Sequence, residues 1–258
     1  MESLPSQSTR PVIEMHEVAV GAMRDQSLTV LEGINWSVAA GDYWVVAGLQ
    51  GSGKSDFLMM TGGLMPPLAG AYTLFGEPMP IFEEARLKNR LRLGLAFDNG
   101  QLFNQLTVVE NIALPLRYHD NLRQAEARAQ VQPILDAMEL APWADSVPGA
   151  IGRNWQKRVG LARALVLKPE VLLLDSPLTG LDLRHVNWWL GILDALSRGH
   201  AVLQGRPLTL VVTTADLRPW KNRARHFAVL KNKRFSVLGE WSQLETVSDE
   251  LVQELLTT

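Results

Sequence analysis

Cysteine is absent from the 258-residue chain, which excludes disulfides and thiolate metal sites and fits a reducing compartment. Charge of either sign is nearly balanced. The net value of −2 leaves no electrostatic case for nucleic acid as a partner. No apolar run approaches the ~20 residues of a membrane span, so any membrane role would be peripheral. The opening "MESLPSQSTRPVIEM" lacks the basic stretch and apolar core of a signal peptide, and residues 1–10 read as a flexible lead-in. Internal repeats and low-complexity tracts are also missing. What remains is a chain with 47% hydrophobic and 20% charged residues, the balance of a soluble globular protein with an ample core. Its eight tryptophans read as core or interface packing.

Apolar and polar residues alternate from Val12 to Ala40, which predicts short antiparallel strands. "DYWVVAG" (Asp42 to Gly48) predicts a buried strand, followed by a glycine-rich loop and a helix from about Lys54. "GAYTLFGEPM" (Gly70 to Met79) returns to strand-like alternation. From Glu84 to about Asp145 the pattern is mostly helical, with "LTVVENIALPLRYH" and "RQAEARAQVQPILDAMEL" carrying apolar residues at helical spacing. "RVGLARALVLKPEVLLLD" predicts a helix, a turn and a buried strand ending at Asp175, and "LTLVVTTADL" predicts another such strand. "HFAVLKNKRFSVLG" looks like a hairpin, and an amphipathic helix closes the chain from Glu240. This order predicts an α/β fold, a doubly wound parallel core carrying an antiparallel β subdomain and an inserted helical block.

"GLQGSGKS", Gly48 to Ser55, fits the phosphate-loop pattern in full, between a strand and a helix. Gly48, Gly51 and Gly53 permit backbone conformations that turn successive N–H groups inward at a phosphate chain. Leu49, Gln50 and Ser52 complete that cradle. Lys54 is expected to reach the β- and γ-phosphates, the Ser55 hydroxyl to ligate Mg²⁺, and the helix to add its positive end. Asp56 follows where a carboxylate either repels phosphate or caps the helix and points away.

With that loop, "VLLLD" (Val171 to Asp175), "LTGLD" (Leu178 to Asp182) and "QKRVGLARALVLKPE" (Gln156 to Glu170), the chain resembles the ATP-binding subunit of an ABC transporter over nearly its whole length. The resemblance implies a P-loop NTPase (RecA-like) core with a helical subdomain over about 84–155. It places one nucleotide-binding domain over residues 11–245 and a C-terminal helix over 246–258. Asp175 then becomes a Mg²⁺ ligand. ATP and Mg²⁺ become the cofactors, shared across a homodimer or a heterodimer with another such subunit. A transmembrane permease subunit becomes the partner, at the cytoplasmic face of the inner membrane. "LTVVENIALPLRYH" and "GEWSQLETVSDELVQELL" are further similar to subunits of Mce-type lipid transporters, the maintenance-of-lipid-asymmetry group.

Against that family pattern the catalytic surface departs. "AFDNGQLF" puts Asp98 in the usual glutamine position, and the LSGGQ signature becomes "IGRNW", Ile151 to Trp155. Ser176 stands at the catalytic glutamate and Ala215 at the switch histidine. Serine accepts a proton from water poorly at neutral pH, and alanine offers no polar atom. Trp155 adds bulk where backbone approach is needed, and Arg153 reads either as a phosphate contact of its own or as a solvated surface arginine. Three readings stay open. The chain is an ATP-binding pseudoenzyme in transport, a divergent ATPase in which a partner's residues supply the missing groups or Asp98 does so by ligating Mg²⁺ or positioning water, or a nucleotide-gated interaction module outside transport.

Overall fold

The computed structural model describes residues 11–79 and 87–257. The expected lead-in over 1–10 and the start of the helical stretch at Glu84 lie outside them. Alternation before the phosphate loop produces two long antiparallel strands, β1 (Ile13–Ala22) and β2 (Asp25–Val38), paired from Ile13 with Val38 to Ala22 with Asp25. The next apolar run is β3 (Tyr43–Ala47), whose five residues are all buried, and it feeds helix α1 (Lys54–Thr61). Strands β4 (Ala69–Leu74) and β5 (Glu77–Pro78) extend the antiparallel layer beside β1.

A short helix α2 (Leu87–Arg90) precedes β6 (Leu93–Ala96), which pairs in parallel with β7 (Val171–Leu174). This strand lies inside the stretch that reads as mostly helical, so the helical block begins after it. Four residues are too few to display a period of two among the charged residues around them. A bidentate Arg92–Glu170 pair (Nε to Oε1 2.7 Å) sets the start of β6 against the turn before β7. Helices α3 (Val108–His119) and α4 (Gln124–Ala137) follow. Thr107 and Glu110 close a reciprocal capping box on α3, the pattern that "LTVVE" announces.

Helix α5 (Arg153–Leu165) leads into β7, and α6 (Leu183–Arg198) connects to β8 (Thr209–Thr214). The hairpin β9 (His226–Lys231) and β10 (Arg234–Gly239) forms as the sequence predicts. The sheet order is β5-β4-β1-β2-β10-β9-β3-β8-β7-β6, with β9, β3, β8, β7 and β6 parallel. Strand parity explains why the central runs are continuously apolar. Tyr43, Val45, Leu172, Leu174, Leu210 and Val212 face the helices α3, α5 and α6. Trp44, Val46, Val171, Leu173 and Val211 face α1 and the antiparallel layer.

The single closing helix expected from Glu240 is two: α7 (Trp241–Leu244) and α8 (Glu250–Thr257). Asp249 accepts from the backbone N–H of Leu251 (2.9 Å) and Val252 (3.3 Å), so it starts a new helix rather than continuing the old one. Lys231 fixes that cap with an ion pair to the Asp249 carboxylate (2.8 Å).

Candidate functional site

The phosphate loop leaves the C-terminal end of β3 and enters α1 through Gly53, whose φ of 91° is a left-handed conformation that the Cβ of other residues disfavours. A Cβ there would also strike Val30. Lys54 Nζ donates to Gly48 O (2.6 Å) and Leu49 O (2.7 Å), so its ammonium is folded onto the loop it belongs to. Burial holds the Lys54 pKa below the usual lysine value, while the charge of Asp175 opposes that shift.

Beside the loop, Ser55 Oγ donates to Asp175 Oδ2 at 2.6 Å. Asp175 is buried at the end of β7, and its other oxygen accepts from Thr213 Oγ1 (3.0 Å) and, at 3.4 Å, from Ser176 Oγ. Thr213 also accepts from Ser176 N–H (3.1 Å), pinning Ser176 at a left-handed φ of 45°. Thr213 escapes sequence reasoning because it is one of two adjacent threonines ending an apolar strand. The only available signal is that a polar residue closes a buried run.

A cleft of about 430 Å³ is lined by Gln50, Gly51, Gly53, Lys54, Ser55, Asp56, Asp98, Ser176, Thr179 and Ala215. That volume lies within the range of small-molecule and cofactor sites. The structure therefore brings the phosphate loop and three of the departing positions, Asp98, Ser176 and Ala215, to one place. Asp56 turns from the loop and accepts from Met23 N–H (2.8 Å) in the β1–β2 turn, which is the pointing-away alternative. Asp98 lines the cleft as one half of an ion pair: its Oδ1 is 2.6 Å from Lys157 Nζ.

The altered signature lies at the start of α5. Gly152 is the N-cap and supplies no side-chain hydrogen bond, and Arg153 is exposed. Trp155, expected to add bulk to this segment, is half-buried. It packs against Trp143 and edge-on to His185, with ring centres 6.2 and 5.6 Å apart. The Arg158 guanidinium lies 4.4 Å above it.

The residues fit a magnesium nucleotide. Lys54 has its ammonium at the loop, where a phosphate chain would meet it. Ser55 and Asp175 form a hydroxyl–carboxylate oxygen pair suited to Mg²⁺. No cluster of three or more His, Cys, Asp or Glu occurs among the described residues. Mg²⁺ does not require one, since it commonly takes one or two protein oxygens together with phosphates and water.

Comparison with known proteins agrees with this geometry. The ABC transporter family profile matches residues 31–179. The Escherichia coli (strain K12) intermembrane phospholipid transport system ATP-binding protein MlaF is 28% identical over 240 residues, 91% of this chain and 87% of that protein. The lipoprotein-releasing system ATP-binding protein LolD of Psychrobacter arcticus is 35% identical over 173 residues, 66% of this chain and 76% of that protein. Among solved structures, the dimeric bacterial ABC transporter cassette MJ0796 superposes with a TM-score of 0.74 at 25% identity, covering 86% of this chain and 95% of that one. The chain belongs to the ABC transporter family, among its ATP-binding subunits.

Proposed function

We propose that this subunit binds Mg-ATP for a membrane transporter and hydrolyses it weakly or not at all. The observation that carries the reading is the composition of one cleft. The groups that hold a nucleotide, Lys54 and Ser55 with Asp175 beside it, are intact. The positions that would act on water hold Ser176 and Ala215. The acids that line the cleft are committed elsewhere, Asp98 to Lys157 and Asp56 to Met23 N–H. Among the described residues that line the cleft, no carboxylate is left without a protein partner to act as the base for water.

Lys54 would exchange its two carbonyl partners for phosphate oxygens, which are stronger acceptors of a charged donor. Ser55 and Asp175 would hold Mg²⁺, which supplies charge neutralisation of the phosphates. The likeness over 91% of the chain to a phospholipid transport subunit supports a lipid cargo, and membership of the ABC transporter family supports a transmembrane permease as partner, with this chain at the cytoplasmic face of the inner membrane. Nucleotide would join this chain to a second copy or to another ATP-binding subunit.

Calorimetric titration with ATP, with and without Mg²⁺, tests the binding half. Saturable binding that strengthens with Mg²⁺ and is weakened about 10–100-fold in Lys54→Ala is the expected result. Heat that is unchanged by Lys54→Ala would place any binding elsewhere and refute the reading.

A further inference from the structure

Helix α5 grips the loop that carries Asp98 at successive turns of one face. Arg163 donates to Gly100 O (2.8 Å) and Gln101 O (2.9 Å), and Gly160 lies so close that a Cβ there would come within 2.8 Å of Gly100 Cα. One turn nearer the N-terminus, Lys157 completes the series. Its side chain is only 7% exposed, and its Nζ meets Asp98 Oδ1 (2.6 Å), Thr179 O (2.6 Å) and Pro177 O (3.4 Å). The ammonium's three donors thus have three acceptors on two segments that wall the cleft. A buried ammonium demands such partners. Asp98 needs the arrangement equally, because a bare carboxylate beside the phosphate loop repels a polyphosphate.

We propose that Lys157 is the positioning residue of this site. It cancels the charge of Asp98 and ties the Asp98 loop and the Pro177–Thr179 segment to α5, so that the cleft accepts a polyanion. Asp98 is then a counter-ion, not a metal ligand. The proposal rests on the nucleotide-binding reading above. A more highly charged nucleotide depends more on this neutralisation, so Lys157 also favours ATP over ADP.

The test is a double-mutant cycle on the full chain: Asp98→Asn, Lys157→Gln and the pair. ATP and ADP affinities are measured by calorimetry in Mg²⁺ and again in EDTA. Lys157→Gln is expected to weaken ATP about tenfold or more and ADP less, with the double variant returning to within about threefold of wild type. Lys157→Arg, which keeps the charge, should retain most of the affinity, and Asp98→Asn alone should leave Mg-ATP within about threefold. Equal losses for ATP and ADP with no recovery in the double variant would reduce Lys157 to packing and overturn the proposal. A loss in Asp98→Asn confined to Mg²⁺ would make Asp98 a metal ligand, also overturning it. That comparison stands even if Lys157→Gln does not fold. A wild-type chain that binds neither nucleotide would instead bring down the underlying reading, and this one with it.

Discussion

Ser176 is the residue on which the proposed loss of hydrolysis turns, and its surroundings argue that one substitution would not restore it. Its backbone is held at a left-handed φ by Thr213, and its hydroxyl lies 3.4 Å from Asp175 Oδ1. Ser176→Glu would return a proton acceptor to a cleft that still lacks a side-chain polar atom at Ala215, in a chain whose altered signature has Gly152 in place of a serine. Phosphate release by that variant is expected to rise by less than about tenfold, well short of the ~10²–10⁴ that a positioned base contributes. A larger gain in a steady-state assay would show that the other departures are tolerated. Lys54→Ala removes a charged donor that phosphate would engage, so ATP affinity should fall about 10–100-fold by calorimetry. At this scale the sequence was informative where a residue type is tied to a motif: the loop and three of the departing positions, Asp98, Ser176 and Ala215, line one cleft, with Asp175 bonded to Ser55 beside it. It was silent on partnership. Nothing in the spelling of Asp98 and Lys157, far apart along the chain, reveals that they are 2.6 Å apart. Nor does "NW" reveal that the Trp155 ring packs against Trp143 and His185.

Among the elements, those with a long period or a complete cap were legible: α3 with its capping box, β3, β7 and β8 as buried runs, and the β9–β10 hairpin. Those that failed are set by tertiary contacts. Strand β6 is four residues whose place is fixed by Arg92 and Glu170, and the split between α7 and α8 depends on Asp249 being held by Lys231. The close fit of α5 on the Asp98 loop is measurable in stability. Gly160→Val would force side-chain atoms into Gly100 and should cost about 1–3 kcal/mol in urea unfolding. The Arg92–Glu170 pair should show a pH signature. The hydrogen bonds from Arg92 hold Glu170 below the ordinary glutamate value, against a smaller opposing effect of burial. A depressed folded pKa stabilises above the unfolded value, and the benefit is lost as pH falls through the folded one. Both groups are partly exposed, so Glu170→Gln should cost about 0.5–1 kcal/mol at neutral pH. That difference should vanish in acid below the glutamate range; a cost that persists there would mean packing, not charge, joins the two strands.

For the whole molecule, fold and function separate cleanly. Two apolar layers on either face of the sheet hold the phosphate loop, β7 and β8 in register, and that scaffold survives whether or not water is activated in the cleft. A subunit of this kind can use nucleotide as a ligand that favours one assembly, since anything bound only to the closed form shifts the equilibrium toward it. Sedimentation should therefore show self-association that increases with Mg-ATP and is absent in Lys54→Ala. Association indifferent to nucleotide would remove that role.

The most direct test is single-turnover: the chain is saturated with labelled Mg-ATP, binding is verified by calorimetry on the same sample, and released phosphate is followed over time. Binding without turnover predicts bound ATP recovered intact. Stoichiometric phosphate release that Asp98→Asn abolishes would contradict it, and would mean that the base has moved rather than vanished.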